Sequence, residues 1–221
     1  MRILFAGASG MVGAELLRRC LENEQIGEVV SLVRKPGAVA HPRLREVVVP
    51  DFYDLRSHAA VFQGIDLCFY CIGVYVGQVP AAEFRKITEE GSRVFIEALF
   101  AGSSGCRVVY LSGMGADSTE TSRMLFPSSK GKAENLFLKR GFRSAYVVRP
   151  GYIYPDTPRT EPNFFYIVSR WAYQYLARFV YPNIGLRSGQ LAEAMLRVGF
   201  DGYERPILEN ADLRKLGKSG T

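Results

Sequence analysis

Residues 2–21 read RILFAGASGMVGAELLRRCL, and this stretch limits the fold more than any other. Ile3, Leu4 and Phe5 make a short apolar run without charge, which suits a strand buried on both faces of a parallel sheet. Gly7, Gly10 and Gly13 follow. Val12, Leu16, Leu17, Cys20 and Leu21 then recur at helical spacing. The order is strand, glycine turn, helix. Gly7 lets the chain leave the strand through a turn that a Cβ would obstruct. Gly10 lets backbone approach a bound phosphate, and Gly13 lets the helix pack closely on the strand. The free N–H groups and positive dipole end of the helix then face a pyrophosphate. The spacing is G-x-x-G-x-x-G, a relative of the dinucleotide fingerprint G-x-G-x-x-G. A glycine triplet alone would be only a tight turn; the strand before it and the helix after it supply the context for dinucleotide binding. The loop assigned to the cofactor comprises Gly7, Ser9, Gly10, Met11, Val12 and Gly13.

The rest of the chain repeats the alternation. Strands are expected over 28–33, 46–49, 66–72, 107–111 and 144–148. A short helix capped by Ser57 is expected over 57–62, a long amphipathic one over 81–101, and another over 128–140. Strands alternating with helices over about 150 residues mean an α/β fold with a doubly wound parallel sheet. Ligands of such sheets bind at the carboxyl ends of the strands. After Arg149 the rhythm breaks. Helices over 163–181 and 188–200 and a strand over 206–208 are expected, with a frayed tail over 215–221. The 163–181 helix is rich in aromatic residues and reads as a wall of the substrate pocket. The length of 221 residues suits one domain, with 151–205 contributing the substrate-side helices as a small C-terminal lobe.

Composition excludes several classes. No apolar run reaches the ~18 residues of a membrane span, and a core strand begins two residues in, so a cytoplasmic protein is expected. The net charge of +6 comes from scattered basic residues without a basic arm, so nucleic acid is not an expected partner. Cys68 and Cys71 form a C-x-x-C inside an expected strand. Residues three apart on a strand face opposite ways, which argues against a shared bond or metal. His41 and His58 have no clustered ligands, and no metal is expected.

Cofactor choice rests on the end of the second strand. An NAD site places an acid there, on the ribose 2′-hydroxyl. This chain has Arg34 and Lys35, which suit the 2′-phosphate of NADP(H) better than NAD(H).

Taken together, GASGMVG at 7–13, Leu-Val-Arg at 32–34 and Phe-Gln-Gly-Ile-Asp at 62–66 resemble the atypical short-chain dehydrogenase/reductase family. Cys-Ile-Gly at 71–73, Leu-Ser-Gly at 111–113, Lys130-Gly131 with Glu134, and Arg-Pro-Gly at 149–151 extend the likeness over nearly the whole chain. The nearest branch is the Tat-interacting-protein-like, NAD(P)H-binding one. The resemblance implies a Rossmann-type fold, NADP(H), and an oxidoreductase acting on a carbonyl or alcohol as a monomer or homodimer. It also implies cofactor contacts from Asp51, Cys71, Ile72, Gly73, Ser112, Lys130, Pro150 and Gly151. The family's active site uses Ser, Tyr and Lys, with Tyr four residues before Lys; the tyrosine carries the proton. Ser112 and Lys130 match, but residue 126 is Phe. Three readings stay open. Another acid substitutes, with Tyr152 foremost and Tyr154 and Tyr75 as alternatives. The helix register differs, so that Ser128 or Ser129 supplies a hydroxyl. Or the protein binds NADP(H) without turnover, as a redox sensor or regulator.

Overall fold

A computed structural model of the protein describes residues 1–156 and 185–218. The strands are β1 (Arg2–Ala6), β2 (Glu28–Val33), β3 (Leu44–Val48), β4 (Leu67–Tyr70), β5 (Arg107–Leu111), β6 (Ser144–Arg149), β7 (Tyr152–Tyr154), β8 (Gly185–Arg187) and β9 (Ile207–Glu209). The helices are α1 (Met11–Glu22), a 3-10 helix (Arg56–Phe62), α2 (Ala81–Arg85), α3 (Gly91–Ser103), α4 (Leu125–Lys139), α5 (Ser188–Asp201) and α6 (Asn210–Lys218). Seven strands pair in the order β3-β2-β1-β4-β5-β6-β9, and every pairing is parallel. Strands β7 and β8 form a separate two-stranded parallel pair. The sheet order reverses beside β1, between β4 on one side and β2 on the other. In open α/β sheets this switch point opens the crevice where ligands bind.

Both faces of the sheet are buried, which explains the unbroken apolar strands. On one face Ile3, Phe5, Phe69 and Val109 pack with Leu16, Leu17 and Cys20 of α1 and Leu191, Met195 and Val198 of α5. On the other, Leu4, Cys68, Tyr70 and Tyr110 pack with Phe95 and Leu99 of α3 and Ala133 and Phe137 of α4. The C-x-x-C is thereby split. Cys68 belongs to the second cluster, and Cys71 packs against the first.

Several boundaries differ from expectation. Strand β4 ends at Tyr70, although the Cys71 N–H still reaches the Ala6 carbonyl at 2.7 Å. Strand β3 starts and stops earlier than 46–49. The helix expected over 57–62 is 3-10 and starts at Arg56 without a side-chain cap, so Ser57 is not its cap. The single helix expected over 81–101 contains a π-helical turn, Lys86–Glu90, in which the Gly91 N–H reaches back five residues to the Lys86 carbonyl. Helix α4 starts at Leu125 rather than residue 128. Pro127 sits in its first turn, where a missing N–H removes no helical bond. The tail expected to fray from 215 is instead helical to Lys218, anchored by buried Leu213. Helix α5 lies in the layer with α1, and the helix expected over 163–181 falls outside the described residues.

Candidate dinucleotide-binding and active site

The glycine turn closes as its three residues demand. Gly7 has φ +91°, a region that favours glycine, and a Cβ there would stand 2.7 Å from the Cys71 carbonyl carbon. A Cβ on Gly13 would stand 2.2 Å from the Gly7 carbonyl oxygen, so α1 approaches the turn only because residue 13 lacks a side chain. Gly10 differs. Its φ is −75°, and a Cβ there would meet only the Gly7 oxygen at 3.3 Å, leaving open space in front of it. Helix α1 has no side-chain cap and no acid in its first turn. Its N-terminal amides therefore remain available to an anion.

Two clefts meet at this turn. One, of about 1020 Å³, is lined by Ser9, Met11, Arg34, Lys35, Gly37 and Glu46, among others. The loop after β2 is braced by the Gly37 N–H donating to Glu46 Oε2 at 2.8 Å. Arg34 and Lys35 are exposed and hold no ion pair among the described residues. The second cleft, of about 420 Å³, lies over the strand ends and is lined by Gly10, Met11, Val12, Gly13, Cys71, Ile72, Gly73, Ser112, Lys130, Pro150 and Gly151. Met11 lines both. One groove thus runs from the cationic end of β2, past the glycine turn, to Lys130. The space open before Gly10, the uncapped amides and the cations at one end fit a dinucleotide phosphate chain.

The structure brings most of the expected site residues into this groove and leaves three, Gly7, Asp51 and Tyr152, outside its lining. Asp51 accepts the Tyr53 N–H at 2.8 Å in an exposed turn and lines neither cleft. Tyr152 also lines neither. On β7 it is Ile153 that faces the second cleft, and Tyr152 and Tyr154 share the opposite side, their rings edge to face with centroids 5.0 Å apart. Tyr75 does line the second cleft. Ser129, offered by an altered register, donates instead to Glu89 Oε1 at 2.6 Å, away from the groove.

Lys130 is buried, with only 5% of its surface exposed. Its ammonium donates to the Tyr110 hydroxyl at 3.2 Å and to the Leu111 carbonyl at 3.4 Å. Burial drives its pKa down to about 8, opposed by the nearby Glu134 and Cys71. The Cys71 thiol is pushed up to about 12 by its own burial, which Lys130 partly counters. Phe126 stands one turn before Lys130, as the spacing predicts. Its ring lies against Gly113, where a Cβ would come within 2.9 Å of Phe126 Cζ.

Ser112 leads to residues for which sequence reasoning gave no role. Its hydroxyl donates to Glu134 Oε1 at 2.6 Å. Ser118 donates to Glu134 Oε2, also at 2.6 Å, and Arg149 grips both oxygens at 2.9 and 2.6 Å. Arg149 also reaches Glu209 at 3.0 Å, tying α4 to β6 and β9. The hydroxyl proton of Ser112 is thus directed to a fully buried carboxylate. Glu134 was legible as a neighbour of Lys130, four residues on and on the same helix face. Ser118 carried no signal at all.

A family model described as NAD(P)H-binding matches residues 7–165. Among curated proteins, the chain is 28% identical to protein HTATIP2 of Rattus norvegicus, covering 98% of this chain and 89% of that protein. It is 27% identical to protein FMP52, mitochondrial, of Eremothecium gossypii, covering 99% and 98%. Among solved structures, the Bordetella bronchiseptica enzyme WbmF in complex with NAD+ superposes with a TM-score of 0.70 at 16% identity, covering 97% of this chain and 76% of that one. Uronate dehydrogenase from Agrobacterium tumefaciens gives 0.68 at 18%, covering 95% and 76%. At such identities these two structures speak for the fold alone. The Rossmann-type architecture and the likeness to the Tat-interacting-protein-like branch are thus borne out. With its glycine turn at the start of the matched span, the chain belongs to the NAD(P)H-binding family.

Proposed function

We propose that the protein is an NADP(H)-dependent oxidoreductase that reduces a carbonyl compound or oxidises the corresponding alcohol. One observation carries the reading: Gly10, Ser112 and Lys130 line a single cleft, joined through Met11 to the cleft that holds Arg34 and Lys35. In this reading the α1 amides and Gly10 take the pyrophosphate, and Arg34 and Lys35 take the 2′-phosphate. Cys71, Ile72, Gly73, Pro150 and Gly151 wall the inner end. When bound, the reduced cofactor supplies a hydride. Ser112 fixes the loop after β5 through Glu134, and Lys130 presents a cation beside the reacting carbonyl oxygen.

The absence of a phenol at residue 126 favours a second reading, a protein that binds NADP(H) without turnover. NADPH consumption over a broad carbonyl panel separates the two. The reductase reading expects turnover by the wild type, changed less than about tenfold by Phe126→Tyr, because another group already supplies the proton. A wild type inert on the whole panel, and activated ~10²- to 10⁴-fold by Phe126→Tyr, means that the proton donor has been lost. Inertness of both variants supports the binding protein. A cytoplasmic location belongs to this reading. Since a similar fungal protein is named as mitochondrial, fractionation of cells expressing the tagged chain decides it.

A further inference from the structure

We infer that Lys130 itself donates the proton in the reductive direction, taking the part that a tyrosine at residue 126 would otherwise play. The inference rests on the reductase reading above and names the acid in it. Elimination among the described groups at the cleft leaves Lys130 and Tyr75, and of these Lys130 is buried at the strand ends while Tyr75 is exposed. Phe126 has no proton to give. Ser112 directs its proton to Glu134 at 2.6 Å. The Cys71 thiol, raised to about 12, is a poor acid. Tyr152 and Tyr154 lie on the far side of β7 from the cleft.

Lys130 has the geometry to act. An ammonium has three N–H donors. Two are held by the Tyr110 hydroxyl and the Leu111 carbonyl, on the sheet side. The third is left for the cleft that Lys130 lines. Gly73 borders that approach, since a Cβ there would stand 3.6 Å from Nζ, in ordinary contact. The charged or titratable groups facing Nζ are Tyr110 from β5, Cys71 from the end of β4 and Glu134 from α4 itself. Burial outweighs the support of Glu134 and Cys71, so the ammonium titrates near 8, close to the working pH that an efficient acid needs. The step balances. The hydride's electron pair forms the new C–H bond, and the carbonyl π pair moves to oxygen. An N–H bond of Lys130 breaks as its proton joins that oxygen. The products are an alcohol, the oxidised nicotinamide and a neutral amine, which regains a proton from water.

Two measurements test this together. The first is an NMR titration of lysine side chains in the cofactor-free protein, with the Lys130 signal assigned by its loss in Lys130→Arg. One lysine is expected to titrate near 8, and the others near the ordinary ~10.4. The second is the pH profile of single-turnover hydride transfer. The rate should fall as pH rises through the same midpoint, because the acid form is consumed. Lys130→Arg keeps the charge but holds its proton, so transfer should drop ~10²- to 10⁴-fold and lose that limb, with NADPH still bound. If that variant does not fold, Tyr110→Phe serves. Loss of the acceptor hydroxyl should move both the NMR midpoint and the kinetic limb to lower pH by the same amount. A Lys130 midpoint at the ordinary value overturns the inference, as does a limb near 10 that Tyr75→Phe abolishes. A wild type inert on every carbonyl overturns the reductase reading as well, and is recognised by the missing turnover rather than by the titration.

Discussion

Lys130 is held where an apolar side chain would be more stable, which points to function rather than structure. Its folded pKa of about 8 lies below the ordinary lysine value, so folding disfavours its charged form. Below pH 8 that penalty is full. Between about 8 and 10.4 the unfolded chain binds more protons than the native one, so this group makes stability rise with pH. Lys130→Met should therefore raise stability at pH 7 by up to about 3 kcal/mol, at ~1.4 kcal/mol per unit, less what the Tyr110 and Leu111 oxygens lose. Urea unfolding at pH 7 and pH 10 checks this, since the gain should shrink at the higher pH. Glu134 behaves in the opposite way. It is fully buried, with its oxygens saturated by Ser112, Ser118 and Arg149. Glu134→Ala leaves Arg149 paired with Glu209 and takes the acceptor from the Ser112 and Ser118 hydroxyls; it should cost about 1–3 kcal/mol, read as a lower urea midpoint. Gly131 tolerates no side chain. A Cβ there would lie 1.7 Å from the Asp117 carbonyl oxygen, so Gly131→Ala must push the 113–118 loop off α4. The expected loss is about 1–3 kcal/mol.

At the scale of elements, β1, the glycine turn and α1 were legible because every residue from 3 to 21 serves the same local geometry. Strands β2, β4, β5 and β6 were legible as apolar runs, since both sheet faces are covered there, whereas β7 and β8, three residues each, were not foreseen. What could not be read depends on contacts distant in sequence. The π-helical turn over 86–90 has no periodic signature. Its Glu89 meets Ser129 and Lys132 of α4, partners some forty residues away. The side of β7 that carries Tyr152 is fixed by its pairing with β8, so sequence could propose that tyrosine but not aim it. Asp51 follows β3 as expected, yet its carboxylate closes its own turn. The end of β2 remains the element on which cofactor choice depends. Arg34→Ala should remove most of the preference for NADPH over NADH, where each tenfold in affinity ratio is ~1.4 kcal/mol. Competitive titration of the two cofactors against that variant measures it.

At the scale of the whole molecule, three layers meet along one groove at the carboxyl ends of β1, β2, β4, β5 and β6. The α1–α5 layer supplies the phosphate end, and α4 reaches across to supply Lys130 and Glu134. The family match spans this arrangement from the glycine turn onward. Among the described residues, no helix is long and apolar enough to cross a membrane. Everything proposed for the inner end of the groove depends on a dinucleotide lying along it past Gly10. A calorimetric titration of NADPH into the wild type and into Gly10→Val, paired with thermal unfolding of each, tests that most directly. A Cβ at residue 10 meets only the Gly7 oxygen at 3.3 Å, so the fold should survive while the valine methyls fill the space before the α1 amides. The account predicts one saturable NADPH site in the wild type, tighter than for NADH, and its loss in a Gly10→Val protein that unfolds at nearly the same temperature. Undiminished NADPH binding by Gly10→Val, or no binding by the wild type, would contradict it.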